Sequence, residues 1–347
     1  MTPDLKILGW TQFFTSQLST DEIETLTPVR IAEVRRRSLI ALKADLSREE
    51  RPLTGELVAT DFAVGDFALI DPDRIIRRLD RRTLISRKAA GPMSQAQLIA
   101  ANIDTLFITT SCNHDFNEAR LERYLAIAIE AEATPVIAIT KADKPEDITA
   151  EEYAERARAI YDGAAVIVLN AKDPDAFDEL AKYCSTGQTI ALVGSSGVGK
   201  STIARGLTGL DIDIGDIRED DAKGRHTTTA RSMYRMLAGG WLIDTPGMRE
   251  LALHDASEGI STLFEDITDL TTACKFSDCA HDTEPGCAVR AALDDGSLDA
   301  DRLARWRKLV EEDTRNSETI AETRQRGRKF GKMVKSAMKV KSAKRGE

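Results

Sequence analysis

Apolar runs alternate with helical stretches through the middle of this 347-residue chain. Five of these runs predict β-strands, at residues 105–109, 135–140, 165–169, 189–193 and 241–244. Between the first two, residues 120–132 predict a helix with one apolar face, formed by Leu121, Leu125, Ala128 and Ile129. Strands that alternate with helices are typical of a parallel α/β sheet.

The residues on either side follow other patterns. Gly91-Pro92-Met93-Ser94 is typical of a linker. Before it, short β-like runs at residues 38–42, 55–58 and 66–70 predict a small barrel or sandwich, for which the OB-fold is one candidate. Beyond about residue 255, a helix with one apolar side precedes a basic tail; that side is formed by Leu303, Trp306, Leu309 and Val310. We therefore expect three domains, at residues 1–90, 91–254 and 255–347.

Charge is distributed unevenly along the chain. The net charge is −9, but residues 324–347 carry +9, so the rest carries −18. Such a basic tail predicts an anionic partner, and nucleic acid is favoured over a membrane. A solvated terminus without a partner is the alternative. Residues 1–90 also contain a basic face that is either a solvated surface or a nucleic-acid-binding surface, formed by Arg35, Arg36, Arg37, Arg74, Arg77, Arg78, Arg81, Arg82, Arg87 and Lys88. No apolar stretch approaches the roughly 18 residues that span a bilayer, and no export signal is visible. We expect a cytoplasmic protein without membrane association.

A glycine-rich loop follows the predicted strand at residues 189–193. Its sequence, Gly194-Ser195-Ser196-Gly197-Val198-Gly199-Lys200-Ser201-Thr202, leads into a predicted helix, which is the context of a phosphate-binding loop. Backbone N–H groups of such a loop surround phosphates. Lys200 would reach the β- and γ-phosphates, and the Ser201 hydroxyl would bind Mg²⁺. In Asp244-Thr245-Pro246-Gly247, Asp244 would hold Mg²⁺ through water and the Gly247 N–H would sense the γ-phosphate.

Residues 216–230 are polar and include Gly224-Arg225-His226-Thr227-Thr228-Thr229. This composition predicts a switch loop in which Thr227 or Thr228 binds Mg²⁺, with an ordinary surface loop as the alternative. Met248 follows Gly247, and an apolar side chain cannot orient an attacking water. His226 is therefore the candidate for positioning that water, or else a structural loop residue.

The segment Thr140-Lys141-Ala142-Asp143 ends another predicted strand. The Asp143 carboxylate could pair with the ring N–H and amine of guanine, and Lys141 could lie along the base. Asn170-Ala171, after the strand at 165–169, could supply an N–H to the guanine oxygen. This base motif precedes the phosphate loop, the reverse of the usual order, and predicts a circularly permuted GTPase. Asp143 disfavours ATP without excluding it.

Three cysteines and a histidine lie close together as Cys274-x4-Cys279-x-His281-x5-Cys287. This set predicts one closed, tetrahedral structural zinc site, with redox-active thiols as the alternative. Cys112 and Cys184 are predicted to be core residues. On this basis, chelation should unfold the chain beyond about residue 255 and leave nucleotide binding intact.

Together these motifs resemble the ribosome small-subunit-dependent GTPases, the RsgA or YjeQ family. The resemblance implies an N-terminal OB-fold, a permuted GTPase domain and a C-terminal helical zinc domain. It also implies a role in late maturation of the 30S subunit, contacts with 16S rRNA and ribosome-stimulated hydrolysis of GTP to GDP. We expect a monomer with slow intrinsic turnover. A nucleotide-gated RNA-binding module with little hydrolysis is the rival interpretation.

Two positions depart from the family pattern. The family usually has Asn where this chain has Thr140, and serine where it has Asn170. Asn at the first position bridges the phosphate loop and the base, so the shorter threonine predicts weaker guanine affinity.

Overall fold

The computed structural model describes residues 3–72, 74–88, 96–170, 172–211, 232–244, 251 and 253–317. The strands in this part of the chain are β1 Thr27–Val34, β2 Ser38–Leu42, β3 Arg48–Pro52, β4 Phe67–Asp71, β5 Arg74–Arg78, β6 Leu84–Lys88, β7 Ala96–Ala101, β8 Thr105–Ser111, β9 Thr134–Thr140, β10 Ala165–Val168, β11 Thr189–Val193, β12 Ser232–Arg235 and β13 Trp241–Asp244. The α-helices there are α1 Gln12–Thr15, α2 Thr20–Thr25, α3 Glu118–Glu130, α4 Ala150–Arg158, α5 Asp178–Ala181, α6 Lys200–Thr208, α7 Ser257–Leu263, α8 Glu265–Thr272, α9 Ala288–Asp294 and α10 Ala300–Ser317.

The five predicted strands form the centre of a mixed sheet. They lie in the order β10-β9-β8-β11-β13, each parallel to its neighbour, and β12 pairs antiparallel with β13. The predicted helix is α3, which begins two residues earlier than expected because the Asn117 side chain accepts from Arg120 N and caps it. Of its predicted apolar face, Leu121, Leu125 and Ala128 are fully buried.

Side chains alternate between the two faces of this sheet. Leu106 and Ile108 of β8 join the core that includes residues of α3, α4 and α7, whereas Phe107 joins a second core with residues of α6. Because successive strand residues point to opposite faces, a strand buried on both faces reads as a continuous apolar run. This is why β8, β9 and β11 could be predicted from the sequence.

The N-terminal strands form a second group in the order β3-β2-β1-β4-β5, all antiparallel. Strands β3 and β5 also approach each other. They enclose a small core that includes Val29, Ile31, Leu39, Phe62 and Ile75.

One strand prediction in this region is wrong. Residues 55–58 are not a strand, because Gly55 takes a left-handed φ of +68° and forms a turn with Glu56. Strand β3 was missed because its sequence, Arg-Glu-Glu-Arg-Pro, contains no apolar run. Strand β6 pairs with β7, which lies beyond the predicted linker, so a boundary at 90/91 falls inside a hairpin.

Strand β1 connects the two groups of strands. It pairs with β2 along one edge, and along its other edge it pairs with β4 and, at Glu33–Ser232, with β12, so one sheet runs through both regions. Beside this junction Arg30 is 1% exposed and donates to three carbonyls, Leu8 O at 2.7 Å, Asn102 O at 3.0 Å and Gly65 O at 3.2 Å. Burial lowers the pKa of Arg30 to about 10, so it remains a cation at neutral pH.

The C-terminal helices dock on α3. Gly259 of α7 approaches the Ala126 carbonyl so closely that a Cβ would collide with it. Glu122 of α3, fully buried, accepts from Arg305 of α10 at 2.9 Å on both carboxylate oxygens. The predicted apolar side of α10 is confirmed, because Leu303 and Leu309 are buried in the same core as α3. None of the helices in the described ranges is long and apolar enough to cross a bilayer.

Candidate functional site

Four predicted nucleotide-binding segments meet at one edge of the sheet. The base motif begins where β9 ends, Asn170 lies two residues beyond β10, the phosphate loop follows β11, and Asp244 ends β13. These strands are parallel, so all four segments lie at their carboxyl ends. Ligands of open α/β sheets bind at this edge.

The phosphate loop is shaped by glycines at positions that exclude a side chain. Gly194 has φ of +136°, and a Cβ there would collide with the Thr109 carbonyl. Gly199 has φ of +98° and directly precedes α6. The Ser196 and Gly197 backbone lies exposed at the tip of the loop, Ser201 is half-buried in the first turn of α6, and Thr202 is exposed.

Lys200 is buried beneath this loop. Its ammonium donates to Gly194 O at 2.8 Å and to Ser195 O. The lysine is 5% exposed, so its charge is held against loop carbonyls at the position from which it could reach a bound phosphate.

Arg120 contacts the phosphate loop from α3 and was not predicted. Its guanidinium donates to Ser195 Oγ and to an Asp115 carboxylate oxygen, the latter at 2.9 Å. Arg120 lies outside every motif, so the sequence alone carried no signal for this contact. The same helix thus contacts both the phosphate loop and the C-terminal helices.

The first residue of the base motif contacts the phosphate loop. Thr140 is 1% exposed, and its hydroxyl lies 2.6 Å from Val198 O in the phosphate loop. Lys141 has a left-handed φ of +59°. Ala142 N donates to the carbonyl of Leu169, the residue that follows β10, at an N–O distance of 3.4 Å. The Asp143 carboxylate is partly exposed at the edge of the sheet, with Lys172 Nζ 3.4 Å away.

Several predicted site residues lie outside the described ranges. They are Ala171, His226, Thr227, Thr228 and Gly247. Asp244, half-buried, stands opposite Ser232 of β12 in the sheet register. The structure therefore brings together the base motif, the phosphate loop, Asn170 and Asp244.

The predicted metal ligands converge in the C-terminal region. The four ligand atoms of Cys274, Cys279, His281 and Cys287 lie within 4.8 Å of one another. Cys274 Sγ is 3.8 Å from Cys287 Sγ, and each of these sulfurs is 3.5 Å from His281 Nδ1. A tetrahedral zinc site with its usual bond lengths separates two sulfurs by about 3.8 Å and sulfur from nitrogen by about 3.5 Å. This group could therefore hold a zinc ion.

The loop around these ligands, residues 274–287, is named here the knuckle. Its backbone is ordered by Glu284, whose carboxylate accepts from Ala280 N, Asp282 N and Thr283 N. These hydrogen bonds lower the pKa of Glu284 to about 2. Helix α10 supports the knuckle, because Arg307 donates to His281 O at 2.8 Å and Trp306 lies against the His281 ring.

The other two cysteines are core residues, as predicted. Cys112 and Cys184 are fully buried, and burial raises the pKa of both thiols, that of Cys184 to about 12. Neither is a thiolate at neutral pH.

Comparison with known proteins agrees with this geometry. The family model described as RsgA GTPase matches residues 78–254. The small ribosomal subunit biogenesis GTPase RsgA of Mesorhizobium japonicum is 52% identical over 326 residues, which cover 91% of this chain and 92% of that protein. This chain belongs to the RsgA GTPase family. RsgA 2 of Vibrio parahaemolyticus is 44% identical over 340 residues, covering 97% and 93% of the two chains.

Solved structures show the same fold as this RsgA family member. The crystal structure of YjeQ from Thermotoga maritima has a TM-score of 0.61 at 23% identity and covers 83% of this chain and 98% of its own. YloQ, described as a circularly permuted GTPase, has a TM-score of 0.58 at 22% identity and covers 84% and 96%. The predicted permuted GTPase fold is therefore confirmed.

Proposed function

We propose that this RsgA family member is a GTPase that acts in biogenesis of the small (30S) ribosomal subunit and hydrolyses GTP to GDP and phosphate. This proposal rests on one observation: the base motif, the phosphate loop and Asp244 lie together at one edge of the sheet. The names of the two relatives, both small ribosomal subunit biogenesis GTPases, supply the process.

We assign the nucleotide contacts by position on this edge. The loop N–H groups from Gly194 to Thr202 hold the phosphates with Lys200, while Asp143, Lys141 and the Asn170-Ala171 turn hold guanine. Ser201, one of Thr227 and Thr228, and Asp244 through water hold Mg²⁺, which supplies charge neutralisation to the β- and γ-phosphates. The Gly247 N–H senses the γ-phosphate.

Hydrolysis is proposed to be slow without the ribosome. Met248 cannot orient water, and in related phosphoryl transfers the loss of one catalytic element costs on the order of 10³–10⁵ in rate. We assign the positioning of water to His226, in a switch loop that the ribosome orders. The His226→Ala variant should then lose ribosome-stimulated turnover while it still binds GTP.

We propose three domains around this chemistry. Strands β1–β5 within residues 1–90 form an OB-fold, supported by the strand order β3-β2-β1-β4-β5 and by the approach of β3 to β5. The permuted GTPase domain, expected at residues 91–254, also takes in β6, because β6 pairs with β7. Residues 255–347 form a helical domain with one structural zinc and a basic tail. The sulfur and nitrogen separations in the knuckle support the zinc assignment.

We further propose that the protein is a cytoplasmic monomer that binds 16S rRNA. The basic tail at residues 324–347 is the proposed rRNA contact, supported by its charge of +9. Neutralised phosphates make affinity fall steeply with salt. Deleting the tail should therefore flatten the salt dependence of subunit binding.

The decisive experiment is the GTPase rate measured with purified small subunits, with large subunits as the control. We expect stimulation by small subunits only, and loss of turnover in Lys200→Ala. Single-turnover hydrolysis that stays equally slow with small subunits would instead favour an RNA-binding module gated by nucleotide.

A further inference from the structure

Thr140 contacts the phosphate loop through a buried hydroxyl. Its Oγ1 lies 2.6 Å from Val198 O and 3.2 Å from Thr110 O on β8, and the residue is 1% exposed. A hydroxyl has one proton to donate. The shorter distance assigns that proton to the carbonyl of Val198.

Val198 O needs this donor because of how a phosphate loop is built. The loop turns its N–H groups inward toward the phosphates, so some of its carbonyls turn outward into the protein. Val198 itself is 1% exposed, and a buried carbonyl without a donor is unfavourable. Thr140 supplies the donor from the strand that carries the base motif.

The rest of the Thr140 side chain fits against the loop. A Cβ built on Gly199 would lie 3.4 Å from both Thr140 Cγ2 and Oγ1. The side chain therefore lies beside the residue that precedes α6, and its one polar atom is directed to backbone carbonyls.

We infer that Thr140 is a positioning residue that fixes the phosphate loop to the base-motif strand, and that guanine is recognised without its hydroxyl. This inference rests on the proposed function of the same site. Thr140 then contributes equally to binding of every nucleotide that uses the loop, and recognition of the base is left to Asp143 and its neighbours.

The chain offers an isosteric test and a matched control. Thr140→Val keeps the shape of the side chain and removes the donor, while Thr140→Ser keeps the donor. Thr110→Val removes a hydroxyl at the same depth on the adjacent strand, and Thr110 Oγ1 has no hydrogen-bond partner among the described atoms. Melting temperatures of the full-length variants establish that each is folded.

Affinities are measured for GDP and for 7-deaza-GDP, which lacks the N7 acceptor of guanine. We expect Thr140→Val to bind both nucleotides about tenfold more weakly, the usual scale for one lost hydrogen bond. Thr140→Ser and Thr110→Val should stay within about twofold of wild type. The ratio of the two dissociation constants should be the same in wild type and in Thr140→Val.

Two results would overturn the inference. One is unchanged GDP affinity in Thr140→Val. The other is a preference for GDP over 7-deaza-GDP that wild type shows and Thr140→Val loses, because the hydroxyl would then contact the base. Failure of the proposed function looks different, since wild type would then bind ADP as well as GDP.

Discussion

Two buried charged side chains lie where other parts of the chain join the central region. Arg30 lies where the N-terminal strands join the sheet, and Glu122 lies on α3, where the C-terminal helices dock. Arg30 is satisfied by the carbonyls of Leu8, Gly65 and Asn102, which belong to three separate segments. Glu122 is satisfied by side chains, Arg305 at 2.9 Å and Arg302 at 4.0 Å, both from α10. We call these the arginine junction and the glutamate junction.

The two junctions differ in which parts of the protein must be folded before the buried charge is stabilised. The arginine junction needs three backbone segments to be folded at once, so it ties the N-terminal strands to the sheet as part of one folding unit. The glutamate junction needs one helix to dock, and its partners are removable side chains. We therefore expect the C-terminal helices to be the more separable of the two attachments.

The largest expected effect comes from removing the proposed zinc ion. Structural zinc contributes about 10–16 kcal/mol in small peptides. The sequence alone predicted unfolding of everything beyond about residue 255. However, α7 packs directly on α3, whereas α9 packs on α8, so we now expect chelation to unfold the knuckle and α9 only.

Hydrogen exchange with and without a chelator measures this, with GDP binding as the control. Loss of protection in residues 274–294 alone would agree with a glutamate junction that holds α7 and α10 unaided. Loss of protection through residues 257–272 as well would show that the knuckle, and not the glutamate junction, holds these helices.

The next effect is that of Arg30→Met. The variant keeps the volume approximately but removes the Arg30 donor from Leu8 O and Asn102 O, each a penalty of about 1–3 kcal/mol, whereas Gly65 O still accepts from Asn102 Nδ2 at 3.0 Å. We expect a loss of about 4 kcal/mol in the free energy of unfolding, measured by urea denaturation. The exposed Arg36→Met is the control and should change stability by less than about 0.5 kcal/mol. A loss as small as that of the control would mean that the arginine junction is not structural.

The sheet was predictable and these junctions were not, for a physical reason. A strand such as β11, buried on both faces, leaves a run of four apolar residues, Ile190 to Val193, in the sequence. Nearby turns and helix ends then carry the motifs, so the phosphate loop and base motif could be placed as well. Strand β3 is an exposed edge with charged side chains, and nothing in its residues distinguishes it from a loop.

Arg30 and Glu122 could not be predicted from the sequence either, because their contacts are between residues far apart in the chain. Arg30 lies among many arginines of residues 1–90, and nothing in the sequence distinguishes it from those predicted to form a solvated or nucleic-acid-binding surface. Its acceptors are backbone atoms up to 72 positions away, which no local pattern records. Glu122 and Arg305 are 183 positions apart, and each would be an ordinary surface residue on an isolated helix.

A smaller effect is expected from Arg305→Met. Removing one partner of a buried ion pair costs about 3–5 kcal/mol because the other charge stays buried. Arg302 remains near Glu122, so we expect a loss of about 3 kcal/mol, measured by urea denaturation. The double variant Glu122→Leu with Arg305→Met removes both charges and should recover most of that loss. A double variant less stable than Arg305→Met would contradict this account.

The smallest effect is a change in pH dependence in Glu122→Gln. Burial raises the pKa of Glu122 above its usual value of 4.5, and the two arginines oppose this only in part. The folded protein therefore favours the protonated acid, a contribution that is complete below pH 4.5 and is lost as pH rises through the raised pKa. Glutamine does not titrate, so the stability of the variant relative to wild type should increase from pH 4.5 toward neutrality. Urea denaturation across this range measures that difference. A relative stability that falls with pH would show that Arg305 and Arg302 outweigh burial, and the glutamate junction would then resemble the arginine junction in strength.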